Sequence, residues 1–266
     1  MRTAPLPAAF RQNIPHGKRF FEVKDALSSL SLNTVCEEAV CPNRTDCYAR
    51  GTLTFQILGD LCTRRCGFCA EKTGLPKPVD SAEPDRVAEA AARLHLSHAV
   101  VTAPARDDLR DGGASHFAGT VKTLRSRNPR ITIETLVSDL QGVESSLITV
   151  LASGPDVFNH NIETVRRLTP KVRAKAGYDS SLKVLKFAAE FFRQNPALNG
   201  KVKSGLMAGL GETESEIMET FRDLREAGVQ YVTLGQYLQP SAQHLPAVRY
   251  YDVKEFDELK NAANAL

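Results

Sequence analysis

The sequence predicts an α/β protein built on a parallel sheet with helices packed outside it. Three observations carry that expectation. Short apolar runs alternate with helical patterns about six times from residue 53 onward. No convincing hairpin signal interrupts the alternation. The chain has 266 residues, a length that α/β barrels reach as one unit. Such alternation argues for βαβ units. An open doubly wound sheet and a curved partial barrel both satisfy it, and periodicity does not separate them. Either architecture puts chemistry at the carboxyl ends of the strands.

The elements follow in order. Residues 53–58 read as the first strand. Residues 80–96 read as a helix, with Pro84 near its first turn and Val87, Ala91 and Leu94 at helical spacing. Residues 98–102 form the second strand, and residues 115–126 a helix with Phe117, Val121 and Leu124 on one face. Residues 131–136, 144–151 and 156–160 read as strand, helix and strand. A helix over 179–192 carries Leu182, Leu185, Ala189 and Phe192 on one stripe, and residues 202–207 are the fifth strand. Thr213 and Glu216 have the spacing of a capping box that opens a helix, which Gly228 closes. Residues 229–234 are the sixth strand, and a short helix follows around Phe256 and Leu259. The expected division is an appended segment over 1–50, the strand-helix repeat over 51–239, and a C-terminal extension over 240–266.

Composition narrows the function. Apolar residues make up 42% and charged residues 24%, ordinary for a globular chain. Thirty-four Lys and Arg against 31 Asp and Glu leave a net charge of +3, too mild to argue for a nucleic-acid partner. No run approaches the roughly 18 apolar residues of a membrane span. The first 21 residues carry Arg2, Arg11, Lys18 and Arg19 with no acid, and also Pro5, Pro7 and Pro15. They lack the apolar core of a secretory signal, and an extended arm lying on the domain is expected there, the alternative being a cleaved transit peptide.

The cysteines point to chemistry. All six lie between Cys36 and Cys69. A disulfide set suits a short secreted chain, whereas clustered cysteines in a longer enzyme-like chain bind metal. Cys62, Cys66 and Cys69 form a C-x3-C-x2-C triplet just after the first strand. Three closely spaced thiolates can hold three irons of a 4Fe–4S cube and leave the fourth open to a small-molecule ligand. Structural zinc prefers four ligands in two pairs, and no second pair lies nearby. Cys36, Cys41 and Cys47 form a second triplet, C-x4-C-x5-C. In isolation it also fits buried free thiols or a zinc site with a distant ligand such as His16.

With Phe68 before its last cysteine, the first triplet resembles the radical S-adenosylmethionine superfamily. The pair of triplets resembles the lipoyl synthases within it. Further segments agree in order: 35–39, 106–114, 157–164, 205–213 and 235–240, so the likeness covers roughly residues 20–260. The resemblance implies a partial (β/α)6 barrel with an N-terminal cluster-binding extension. It implies that an open iron binds S-adenosylmethionine and that one electron cleaves it to a 5′-deoxyadenosyl radical, which abstracts hydrogen from an unactivated C–H bond. Two sulfurs then enter carbons 6 and 8 of a protein-bound octanoyl chain. The second 4Fe–4S cluster, held by Cys36, Cys41 and Cys47, is their source.

The resemblance also implies partners: octanoylated carrier domains such as the glycine cleavage H protein and the 2-oxoacid dehydrogenase E2 component, and an electron donor. No nucleic acid or membrane is expected, and the location is cytoplasmic. Phe68 is expected near the adenine and Asn159 and Glu163 at ribose hydroxyls, the alternative for the latter pair being a structural turn. Arg173 is expected at the cofactor carboxylate or else simply solvated. Tyr237 frames the adenine or fills the barrel mouth. Asp107 and Asp108 read as positioning or loop-anchoring groups with Arg106, not as an acid–base pair. Gly209 and Gly211 are too few for a dinucleotide fingerprint. His160 and His244 read as structural. Two departures stand out. Ala103-Pro104 replaces the family's more usual Ser-Val, and residues 240–266 lack the Arg-Ser-Ser-Tyr segment whose serine ligates the second cluster. A truncated or incompletely ordered extension is therefore expected, with solvent, an exogenous ligand or His16 at the fourth iron, or with the whole second cluster lost.

Overall fold

The computed structural model describes residues 17–39, 41 and 43–266. Its elements are α1 (Lys18–Ser29), β1 (Asn33–Thr34), α2 (Val35–Glu38), α3 (Arg44–Ala49), β2 (Thr54–Gln56), β3 (Leu61–Cys62) and β4 (Lys72–Thr73). Then come α4 (Glu83–Arg93), β5 (His98–Thr102), α5 (Ala114–Arg127), β6 (Thr132–Leu136), α6 (Glu144–Leu151) and β7 (Val157–Asn159). The last are α7 (Thr169–Val172), α8 (Tyr178–Gln194), β8 (Lys201–Ala208), α9 (Glu214–Glu226), β9 (Tyr231–Gln236) and α10 (Val253–Asn264).

Strand order decides between the two architectures the sequence leaves open. The main sheet runs β1-β2-β5-β6-β7-β8-β9. From β2 onward every pairing is parallel and each strand joins beside the one before it. A doubly wound sheet reverses direction at a switch point; this one never does. The outer helices pack in the same sequence, α4 on α5, α5 on α6, α6 on α8 and α8 on α9. The result is a curved, unclosed barrel wall. Among the described residues β9 pairs with β8 alone, and its Tyr231 and Val232 stay exposed.

Alternation along each strand separates two faces. Val202, Leu206 and Ala208 of β8, Phe158 of β7 and Ile133 of β6 are buried in the apolar layer with Phe117, Leu151 and Val184 from the helices. Fully burying one such side chain contributes about 1.5–3 kcal/mol. The opposite, concave face carries polar groups, Glu134, Asn159 and Lys203 among them.

The differences from expectation have local causes. The first strand stops at Gln56 because Leu58 turns to φ 66, with its N–H donating to Glu83 Oε2 at 2.8 Å. The helix expected from 80 begins at Glu83, since Asp80 instead accepts from the Ala82 N–H at 2.9 Å. The sixth strand starts at Tyr231, because the Gln230 side chain takes the Val202 N–H at 2.7 Å. On α8 the buried stripe is Ser181, Val184, Leu185, Ala188 and Phe192, so Leu182 and Ala189 sit at its margin. The Thr213–Glu216 capping box is present, and Asp252 and Glu255 form a second one that opens α10. The segment before residue 50 is joined to the barrel, because β1 pairs antiparallel with β2. Chain from Lys18 is helical, which corrects the extended reading of residues 18–21. The rest of that arm, with His16, lies outside the described residues. No described helix is long and apolar enough to cross a membrane.

Candidate functional site: two cysteine triplets at the barrel mouth

Cys62 ends β3, and the chain loops through Cys66 and Cys69 before β4 returns parallel to β3. The three thiols line one cavity of about 590 Å³, together with Arg65, Glu71 and His244. The loop is pinned on both sides. Thr63 donates through both N–H and Oγ to Ala105 O, at 3.0 and 2.9 Å. Arg64 grips Asp107 after β5 and Asp139 after β6, each at 2.7 Å from Nη2. Opposite, Gly67 N–H donates to Val172 O at 3.0 Å and Leu245 N–H to Gly67 O at 2.9 Å. His244 Nε2 lies 2.9 Å from Cys69 O, its Nδ1 2.8 Å from Ser241 Oγ. The structural reading of His244 is borne out.

Burial pushes the Cys69 thiol up to about 12, with Glu71 and Cys66 adding to it, and raises Cys62 as well. These thiols stay protonated unless a cation pays for their ionisation. Among the described residues no three His, Cys, Asp or Glu side chains converge on a single-ion site. A four-iron cube takes thiolates at separate corners and makes no such demand.

The second triplet is held by the segment that carries β1. Cys36 lies buried in α2, Cys41 follows it, and Cys47 is in α3. Thr34 and Tyr48 hydroxyls meet at 2.7 Å, and Phe20 packs on the Tyr48 ring. Burial pushes Cys36 up to about 11, and Cys41 and Cys47 reinforce the shift. Lys72, just past Cys69, reaches Glu38, two residues past Cys36, at 3.0 Å. One ion pair thus links the segment that carries the second triplet to the strand that follows the first.

The remaining candidates divide. Glu163 has φ 69, and its carboxyl is raised by burial against the opposing pull of Arg173 and Asn161. Its charge bears on Cys69, and burial followed by the Cys69 charge raises Tyr237. Tyr237 is buried and donates to Leu245 O at 2.7 Å, and half-buried Phe68 packs against the core. Asn159 is buried at the end of β7. Arg173 is not simply solvated. It is half-buried, and its Nη1 donates to Ser181 Oγ at 2.6 Å. The Ser181 hydroxyl then donates to His160 Nε2 at 3.0 Å, so His160 Nδ1 carries the proton and donates to Val137 O at 3.0 Å. His160 is structural and neutral, its imidazole pushed down to about 4 by burial and by Arg173. Arg106 is fully buried on Asp108, Leu58 O and Lys77 O, a loop anchor. Arg64, Glu71, Glu134 and Lys203 escaped the sequence reading. Glu134, the one charged residue in its strand, is the signal that was visible.

Comparison with known proteins gives a consistent result. Residues 57–224 match the family described as the radical SAM superfamily. Residues 2–41 match the N-terminal domain of lipoyl synthase of that family. The lipoyl synthase of Oceanobacillus iheyensis is 53% identical over 258 residues, 97% of this chain and 81% of the relative. That of Shouchella clausii is 54% identical over 242 residues, covering 91% and 77%. That of Rubrobacter xylanophilus is 49% identical over 254 residues, covering 96% and 78%. Among solved structures, methylornithine synthase aligns with TM-score 0.58 at 14% identity over 91% of this chain and 73% of that one. The hydrogenase maturase HydG aligns at 0.59 and 16% over 92% and 61%. These two share the fold.

Proposed function

The chain belongs to the lipoyl synthase family of the radical S-adenosylmethionine superfamily, and on that premise we propose how its residues divide the work. Its activity is the family's, insertion of two sulfurs at carbons 6 and 8 of a protein-bound octanoyl group, with a 4Fe–4S cluster and S-adenosylmethionine as cofactors. When bound, these cofactors supply the electron transfer and hydrogen abstraction that no side chain can perform.

In this reading Cys62, Cys66 and Cys69 hold the radical-generating cluster. Three free thiols facing one cavity, on a loop clamped from both sides, are the observation that carries it. Cys36, Cys41 and Cys47 hold a second, sulfur-donating cluster. Their mutual proximity and the Lys72–Glu38 tether support that role, since the donated sulfur must reach a substrate carbon beside the first cluster.

Arg64 keeps the cysteine loop seated. Phe68 and Tyr237 frame the adenine, Asn159 and Glu163 take ribose hydroxyls, and Arg173 reaches the cofactor carboxylate. Asn159 Oδ1, buried without a partner, is an acceptor a hydroxyl would satisfy. Substrates are lipoyl carrier proteins. We assign the octanoylated glycine cleavage H protein and 2-oxoacid dehydrogenase E2 domains to that class, with a separate electron donor and a cytoplasmic location. We place the divisions between the three parts of the chain at residues 50 and 239.

Iron and sulfide analysis of anaerobically purified protein tests the two-cluster assignment. About eight of each per chain is expected, falling to about four when either triplet is replaced by alanine. A triplet whose removal leaves the count unchanged holds no cluster.

A further inference from the structure

On the concave face of the sheet, three neighbouring parallel strands contribute a largely buried polar network, with the more exposed His98 of a fourth at its edge. Glu134 of β6 and Asn159 of β7 are each 4% exposed. Asn159 Nδ2 donates to Glu134 Oε1 at 2.8 Å. Lys203 of β8, directly across from Asn159 in the register, reaches Glu134 Oε1 and Oε2 at 2.9 and 3.0 Å. His98 of β5 lies 3.7 Å from Oε2. Burial alone would raise the Glu134 carboxyl, yet its bonds to His98, Lys203 and Asn159 outweigh that and hold it near 2.

This network fixes an orientation that an amide does not otherwise have. An ionised carboxylate only accepts hydrogen bonds, so the Asn159 NH2 must face Glu134. Its carbonyl oxygen must then face away, and that Oδ1 is buried with no partner. A buried acceptor left unpaired destabilises the fold, and a donor from a bound ligand would relieve it. Other buried atoms also lack partners, among them Thr135 Oγ1 and Thr164 Oγ1, but a hydroxyl can rotate. Asn159 alone combines a charge-locked amide with a position at the carboxyl end of a strand, where this fold does its chemistry.

We propose that Glu134 is a positioning residue: held by Lys203, it locks the Asn159 amide so that Oδ1 is presented as an acceptor to a ribose hydroxyl of S-adenosylmethionine. This rests on the reading of Asn159 as a nucleoside ligand. Glu134 itself touches neither cofactor nor substrate. Its effect is selectivity for a hydroxyl donor, not general affinity.

The test is equilibrium binding, without turnover, of S-adenosylmethionine and its 2′-deoxy and 3′-deoxy analogues to cluster-loaded protein under anaerobic conditions. The unaltered protein is expected to prefer the natural ligand over one analogue by about tenfold or more. In Glu134→Gln the new amide can donate to Oδ1 and let Asn159 turn, so the preference should fall below about threefold. Asn159→Ser should lower the preference too, and adding Glu134→Gln to it should change nothing further, because no amide remains to orient. If Glu134→Gln loads no cluster, Glu134→Asp keeps the charge but shortens the reach, and the same loss of preference is expected. A full preference in either Glu134 variant, with equal weakening of all three ligands, overturns the proposal while leaving the Asn159 reading intact. No preference in the unaltered protein, or full preference in Asn159→Ser, overturns that reading and the proposal with it.

Discussion

Arg64 and Asp107 meet in a two-pronged contact, Nε 2.9 Å from Oδ2 and Nη2 2.7 Å from Oδ1. Arg64 stands between two cysteines of the first triplet, so this pair fixes the cysteine loop to the loop that follows β5. Asp139 takes a second hold, and Lys175 reaches Asp107 from outside at 3.0 Å. The Arg64, Asp107 and Asp139 side chains are 7%, 14% and 10% exposed, so the charges are nearly desolvated. The Arg64 hydrogen bond pulls Asp107 down to about 2.

Arg64→Ala leaves Asp139 without its ion-pair partner and Asp107 with Lys175 alone. Breaking a buried pair typically costs about 3–5 kcal/mol, and urea unfolding should show a loss of that order. Arg64→Lys should recover less than half, because a point charge cannot reproduce the planar fork. Loss below about 1 kcal/mol for the alanine variant would mean the clamp is dispensable.

The two triplets should separate by readout. Cys66→Ala should abolish formation of 5′-deoxyadenosine from S-adenosylmethionine. Cys41→Ala should retain some of that cleavage but form no thiolated product. The assignment is reversed if the Cys41 variant loses cleavage while the Cys66 variant keeps it; chromatography of the nucleoside products reads the difference.

Much of this was legible in the sequence because it resides in residue type and spacing. Cysteine triplets keep their chemistry wherever the loop goes, and the Thr213–Glu216 box is a local event. The expected strand 98–102 and helix 144–151 match β5 and α6 to the residue. What escaped depends on partners remote in sequence. Nothing near Arg64 announces Asp139, and nothing near Arg173 announces that Ser181 will claim it. The antiparallel β1–β2 pairing joins two strands of two and three residues, too short to show a period. The Asn159 orientation exists only once β6, β7 and β8 lie side by side.

His160 makes the stability depend on pH in a defined window. Its folded value, about 4, lies below the ordinary histidine value near 6.5, so the unfolded chain binds the extra proton first. The contribution is complete above about pH 6.5 and is lost as pH falls toward 4, with a limiting slope of about 1.4 kcal/mol per pH unit inside that window. Urea unfolding at pH 7.5 and 5.5 should show a larger loss for the native protein than for His160→Gln. Equal losses would remove His160 from the account.

Gly209 tests the junction with the C-terminal extension. Its φ is 106, and a Cβ there would stand 2.5 Å from the Arg249 carbonyl oxygen, which is backbone. Val248 N–H also donates to Gly209 O at 2.8 Å. Gly209→Ala should cost about 1–3 kcal/mol and speed amide exchange over residues 245–251. Unchanged exchange there would show that the contact does not hold the extension.

The central claim is a division of labour between two cysteine triplets acting on one acyl chain. Anaerobic turnover of an octanoyl-lysine peptide with S-adenosylmethionine and a reductant, followed by mass analysis of the peptide, tests it most directly. The peptide should gain two sulfurs with the intact protein and none with Cys41→Ala. Formation of 5′-deoxyadenosine by the intact protein with no thiolated peptide, or a normal two-sulfur product from the Cys41 variant, would contradict it.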